Sequence, residues 1–204
     1  MPVAIRIFCN ALHCAAKKPQ GKRIPTVALL PRNDVVNCNF YHLKFIQLKS
    51  QQEETTMLKN IPPILSPELL KVLAEMGHSD RICIGDGNFP GARMAKAKNA
   101  IFIRADGHGV PELLDAILQV IPLDTYVDTP AMIMEVGEQD KGLEIPIWNT
   151  YKEIIAKYDD RGAAAVGQYE RFKFYDEAQD CYCIIQTGET AIYANIILQK
   201  GVIK

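Results

Sequence analysis

Between residues 57 and 204 the spacing of apolar positions changes repeatedly from the period of a helix to that of a strand. Leu69, Val72, Leu73 and Met76 recur at three- and four-residue intervals, the stripe of a helix with one buried face. Ser66-Pro67-Glu68 opens it with an N-cap serine, a proline at the first helical position and an acid in the first turn. Gly77 suits the left-handed position that closes a helix. Ile82-Cys83-Ile84 reads as a short strand buried on both faces. A second strand spans 100–104 and turns at 105–109. Pro111-Glu112 then opens a second helix, with Leu113, Leu114, Ile117, Leu118 and Ile121 as its apolar set and Pro122 as its stop. A strand at 131–136, helices at 148–158 and 172–179, a strand at 181–186 and a last one at 192–200 complete the pattern. Strands alternating with helices predict a layered α/β domain.

The pattern fails before residue 57. Residues 1–56 carry eight Lys/Arg against three Asp/Glu, a net charge of +5, which leaves −6 on the rest of a chain whose total is −1. The run 41–48 alternates like one strand without a partner nearby. Val3-Ala4-Ile5-Arg6-Ile7-Phe8 is too short and too interrupted for a secretory core, and four prolines break any long amphipathic helix. Residues 1–56 are read as an appendage, poorly ordered or not part of the fold, with Met57 as the natural start of the domain. His13 and His42 read as solvated, and a weak organelle-targeting role stays open.

Composition narrows the function. No apolar run approaches the roughly 20 residues of a membrane span, and near-zero net charge gives no argument for nucleic acid. The six cysteines make no disulfide framework, so a reducing, cytoplasmic compartment is expected. Cys181 and Cys183 would share a strand face. No second pair or nearby histidine completes a zinc set, and they read as core.

Two stretches carry candidate chemistry. His78 follows a helix end, where the negative end of the helix dipole favours an imidazolium and proton donation near neutral pH. By position alone it also fits a solvated histidine. Asp86, in Gly85-Asp86-Gly87-Asn88, sits where flanking glycines allow a close approach to a ligand. An aspartate repels phosphate, but an ionised carboxylate accepts two hydrogen bonds from sugar hydroxyls. Tyr193 and Asn195 fall on one face of the last strand by the period-two rule. They offer a hydroxyl, a ring and an amide, although Tyr193 also fits a sheet-edge ring.

The pieces Ser66-Pro-Glu-Leu-Leu70, Glu75-Met-Gly-His78, Asp86-Gly-Asn-Phe-Pro90, Ile103-Arg-Ala-Asp-Gly107, Leu123-Asp-Thr-Tyr126, Glu170-Arg-Phe172, Phe174-Tyr175, Thr187-Gly-Glu189, Tyr193-Ala-Asn195 and Lys200-Gly201 occur in order. Through them, residues 57–204 resemble the RbsD/FucU family and, within it, the L-fucose mutarotases. The resemblance implies a layered α/β/α RbsD-like domain with a mixed, mostly parallel sheet. It implies interconversion of the α and β anomers of free L-fucose, with His78 as proton donor. Asp86, Asp124, Met134, Arg171, Tyr175, Tyr193 and Asn195 become sugar-binding positions. It implies no cofactor and no metal. Where the family has Gly after the histidine and Gly between Tyr and Asn, this chain has Ser79 and Ala194. The effect is expected to be modest unless a positive φ is needed.

Mutarotation needs a general acid on the ring oxygen and a base at the anomeric hydroxyl. Extended chain could separate His78 from Asp86 by up to about 26 Å. Either the intervening loop folds back or two subunits share a site. Rings of subunits in the family imply a homo-oligomer, a decamer. Two alternatives remain: a ribose pyranase of the same family, and a monosaccharide-binding protein without catalysis, for which His78 would be dispensable.

Overall fold

The computed structural model describes residues 58–203. The expectations for residues 1–56 lie outside the described residues. The chain runs α1 (Pro67–Glu75), β1 (Arg81–Gly85), α2 (Gly91–Lys98), β2 (Ile101–Ala105), α3 (Val110–Leu118), β3 (Ala131–Met134), α4 (Ile147–Ile155), β4 (Val166–Tyr169), α5 (Arg171–Gln179), β5 (Cys183–Thr187) and β6 (Ile196–Gln199), with 3-10 turns at Glu138–Asp140 and Gly162–Ala165.

The six strands form one sheet in the order β2-β5-β1-β6-β3-β4. β1 pairs parallel with β5, β2 with β5 and β3 with β4; β6 runs antiparallel between β1 and β3. Successive strand residues face opposite layers. Ile82, Ile84, Ile185, Ile196 and Leu198 point at α1, α3 and α4, whose Leu69, Leu113, Leu114, Ile117 and Tyr151 are buried against them. Cys83, Ile184, Met132, Met134 and Ile197 point at α2 and α5, meeting Met94, Ala95, Phe174 and Ala178. The domain is the expected three-layer α/β/α sandwich with a mixed, mostly parallel sheet. Each fully buried Ile or Leu contributes about 1.5–3 kcal/mol. No helix among the described residues is long and apolar enough to cross a membrane.

Some local expectations do not hold. Helix α2 and strand β4 carry no clear period in the sequence: GARMAKAK buries only one large side chain, Met94, beside Gly91 and Ala95, and β4 is only partly buried. β6 begins at Ile196, not 192, because Tyr193 takes a left-handed φ of 57° that no strand accommodates. Cys181 and Cys183 do not share a face. Cys183 lies in β5 within the α1/α3/α4 layer, whereas Cys181 precedes the strand and packs on α5, its thiol donating to the Glu177 carbonyl at 3.5 Å. Burial pushes both thiols up to about 12, so both are core groups.

Candidate active site

Two clusters of polar side chains stand at opposite ends of the antiparallel β1–β6 pair. The first is a cleft of about 270 Å³ at the C-terminal ends of β1 and β3, lined by Asp86, Asn88, Phe89, Met134, Asp140, Arg171, Tyr175, Ile192, Tyr193 and Asn195. Antiparallel β6 separates the two parallel sets here, the kind of edge where α/β sheets leave a crevice beyond the carboxyl ends of their strands.

Asp86 is the anchor. It follows β1 directly and is 3% exposed. Its backbone N–H donates to Asn195 Oδ1 at 2.8 Å, and Asn195 Nδ2 donates back to Asp86 Oδ2 at 3.1 Å. Asn88 N–H donates to Asp86 Oδ1 at 2.9 Å, and Gln186 Nε2 to its carbonyl at 2.6 Å. Burial pushes the Asp86 carboxyl above the usual carboxylate range, against the bonds from Asn88, Ala194, Asn195 and Phe89 that favour its ionised form. The flanking glycines serve the turn rather than the ligand. A Cβ on Gly85 would come within 2.6 Å of the Phe89 ring, and one on Gly87 within 3.0 Å of the Glu189 carbonyl.

The other cleft groups come from three directions. Glu170 caps α5 by accepting from Phe172 and Lys173 N–H at 2.8 and 3.2 Å, which sets the helix start and brings Arg171 and Tyr175 to the rim. The Arg171 guanidinium lies 5.8 Å from the Tyr175 ring centre, a cation–π distance. Met134 ends β3 at 2% exposure and supplies an apolar floor. Tyr193 and Asn195 reach the cleft from a turn. Trp148 Nε1 donates to the Tyr193 carbonyl, and the Tyr151 hydroxyl to that of Ala194, both at 2.9 Å. Neither residue stood out in the sequence, because each also reads as an ordinary apolar position of a helix.

The second cluster holds His78 and Asp124. Asp124 is fully buried. It accepts from Tyr126 N–H at 2.9 Å, Gln199 Nε2 at 2.9 Å and His78 Nε2 at 3.1 Å. Burial opposes ionisation, but these bonds outweigh it and hold the carboxyl below its ordinary range. Arg161 clamps the same loop, donating to the carbonyls of Asp124 at 2.8 Å and Val127 at 2.6 Å while paired with Asp159. An ionised carboxylate only accepts, so His78 Nε2 carries a proton and Nδ1 is the nitrogen left for a substrate. Tyr126, 69% exposed, meets the imidazole edge-on with centres 5.3 Å apart.

The route by which His78 is fixed differs from the expectation. Gly77 is not left-handed; Ser79 is, at φ 68°. The last carbonyls of α1 are taken by the Lys200 ammonium, which donates to Leu73 at 3.0 Å and to Met76. Lys200 is therefore the cation at the helix C-terminus, and Asp124 is the partner of His78. Asp86, Met134, Arg171, Tyr175, Tyr193 and Asn195 share one cleft, as expected. His78 and Asp124 do not join them within this chain. β1 alone separates the two groups by roughly 13 Å.

The sequence profile of the RbsD / FucU transport protein family matches residues 59–203. The chain belongs to this family. Fucose mutarotase of Homo sapiens is 46% identical over 148 residues, 72% of this chain and 94% of that protein. FucU of Bifidobacterium longum shares 55% identity at a TM-score of 0.69, covering 72% of this chain and all of that one. A fucose mutarotase of Streptococcus pneumoniae, solved in complex with L-fucose, shares 44% identity at a TM-score of 0.65, with the same coverage. The RbsD/FucU match begins where the helix and strand periods of this sequence begin.

Proposed function

We propose that this protein interconverts the α and β anomers of L-fucose by general acid–base opening and closing of the ring. The observation that carries this reading is that the matched segment spans nearly the whole of proteins named for fucose mutarotation, one of them solved with the sugar. The cleft fits the chemistry. Its volume of about 270 Å³ falls just below the roughly 300–1,000 Å³ of drug-sized ligand sites, a scale for one monosaccharide. Asp86 and Asn195 meet hydroxyls, the Tyr175 and Tyr193 rings meet a sugar face, and Met134 meets the methyl group. His78 gives a proton to the ring oxygen, and the same proton returns when the ring closes on the other face. General acid–base catalysis of this kind is worth about 10²–10⁴-fold. Exchange NMR on equilibrated L-fucose tests it: faster α/β exchange with protein, lost in His78→Ala, is the expected result. Exchange between ring sizes of ribose instead would establish the pyranase, and sugar binding without exchange a binding protein.

A shared site explains why acid and cleft stand apart. The His78 end of one subunit faces the Asp86 end of the next, a head-to-tail contact that closes into a ring; we take the ring to be a decamer. Mixed subunits test this. In a 1:1 assembly of His78→Ala and Asp86→Asn, about a quarter of the interfaces pair an intact His78 end with an intact Asp86 end. Exchange should return to about that fraction of wild type. No recovery on mixing would refute the shared site. Among the described residues, the free and buried Cys83, Cys181 and Cys183 support a reducing, cytoplasmic location.

A further inference from the structure

The base that complements His78 is the open position in this chemistry, and the structure assigns it to a tyrosine–aspartate relay: Tyr193 receives the anomeric proton and Asp140 receives the proton Tyr193 gives up. This rests on the mutarotase reading above. Asp140 ends the 3-10 turn Glu138–Asp140 after β3 and lines the same cleft as Asp86, Arg171 and Asn195. The Tyr193 hydroxyl donates to Asp140 Oδ2 at 2.6 Å and accepts from Gly137 N–H at 3.2 Å.

The hydrogen-bond account of that hydroxyl gives its direction. A phenol has one proton and two lone pairs. The proton points to a carboxylate that can only accept, and one lone pair is filled by Gly137. One lone pair is left for the cleft, so Tyr193 can only accept from a sugar hydroxyl there. The left-handed turn at Tyr193, held by Trp148 on its carbonyl, fixes the hydroxyl in place. The bond to Asp140 also raises the Tyr193 phenol above its ordinary range, so it stays neutral and passes one proton as it takes another. Arg171, near enough to feel both Asp140 and Tyr193, offsets the negative charge at this end.

The step balances. As the C1–O5 bond breaks, its electron pair goes to O5, which takes the proton of His78. The O1–H pair becomes the second C1–O1 bond of the aldehyde. The O1 proton passes to Tyr193 Oη while the Tyr193 proton passes to Asp140 Oδ2. Closure on the other face of C1 reverses each transfer, so both ends return to their starting states.

Asp140→Asn tests the relay, because the amide oxygen still accepts from Tyr193 but cannot take its proton. Exchange NMR with L-fucose on the full chain is run for wild type, Asp140→Asn, Tyr193→Phe and the double variant. The expected result is a loss of about 10–100-fold in kcat for Asp140→Asn, with KM within about threefold. The double variant should be no slower than the worse single one, as for groups acting in one path. Wild-type kcat in Asp140→Asn, a loss confined to KM, or additive losses would overturn the relay while leaving the mutarotase reading intact. No exchange by wild type would overturn both.

Discussion

Asp124→Asn separates what the buried carboxylate does for the fold from what it does for His78. The ionised side chain accepts hydrogen bonds from Tyr126 N–H, Gln199 and His78, and a longer one of 3.5 Å from the exposed Ser79 hydroxyl, which water can replace. An asparagine amide keeps its oxygen for Tyr126 and turns its NH₂ toward Gln199 and His78. Gln199 can flip and present its oxygen. His78 can move its proton from Nε2 to Nδ1 and accept. No donor is left buried without a partner, so the cost is the exchange of charge-assisted bonds for neutral ones, about 1–2 kcal/mol. That is a fall in Tm of about 2–8 °C for a domain of this size. The chemistry suffers more. Once Nδ1 has given its proton to the sugar, the remaining proton must sit on Nε2, the tautomer that Asp124 favours and asparagine opposes. The exchange rate should fall about 100-fold, or about 2.7 kcal/mol of barrier. Asp124→Ala leaves the Tyr126 N–H without its acceptor and should lose about 2–4 kcal/mol, with a larger drop in Tm. Thermal melts and exchange NMR on the same preparations are the assay. An Asp124→Asn protein that melts lower but exchanges fucose at the wild-type rate would refute the orienting role. So would a rate loss no larger than its unfolded fraction.

At Ser79, glycine relieves a left-handed serine worth about 1–2 kcal/mol but adds about 0.4–1 kcal/mol of unfolded-state entropy. Ser79→Gly also gives up the long 3.5 Å bond from the Ser79 hydroxyl to Asp124, so it should be close to neutral in urea unfolding, and Ser79→Val clearly destabilising. Asp86→Asn removes a carboxylate whose folded pKa is raised, so its charge costs stability above that pKa and none below the unfolded value. With one mismatched bond to set against this, Tm should stay within roughly 3 °C while fucose affinity in titration calorimetry drops at least about tenfold. Asp124 and Asp159 have the opposite sign: both are lowered, Asp159 first by its bond to Arg161. Their stabilisation is complete above the ordinary carboxylate range and is lost as pH falls through their lowered values, so acid melts of wild type should steepen below about pH 4. Tyr151→Phe removes the buried bond to the Ala194 carbonyl and should cost about 1–1.5 kcal/mol and weaken fucose binding by loosening the 193–195 turn.

Strong periods and caps were readable in the sequence because they are local. Ser66-Pro67-Glu68 starts α1 as expected, with the serine hydroxyl accepting from Leu69 N–H at 3.1 Å. Ile82-Cys83-Ile84 is a strand buried on both faces. Where a tertiary contact replaced a local rule, the reading went astray. Lys200, far along the chain, caps α1, so Gly77 has no left-handed turn to make and the strain passes to Ser79. Tyr193 and Asn195 do meet in one cleft, but through a turn held by Trp148 and Tyr151 rather than a strand face. Asp140 carried no signal at all, because an acid in a polar loop normally reads as solvated.

The placement of β6 turns these details into one constraint. A fully parallel sheet would gather its site at a single edge. Here an antiparallel strand lies between β1 and β3, and its two ends serve two purposes: Asn195 enters it beside Asp86, and Gln199 leaves it beside Asp124 and His78. In the proposed reading, the β1–β6 ladder thus holds a binding half and an acid half at its two ends. Each half also leaves a large aromatic ring 69% exposed, Phe172 beside Arg171 and Tyr126 over His78. The head-to-tail ring proposed above would cover these rings with the same contact that brings acid to sugar. Assembly and catalysis would then be one equilibrium, and a variant that weakens the proposed contact, such as Tyr126→Ala, should lose exchange activity on dilution before it loses fold.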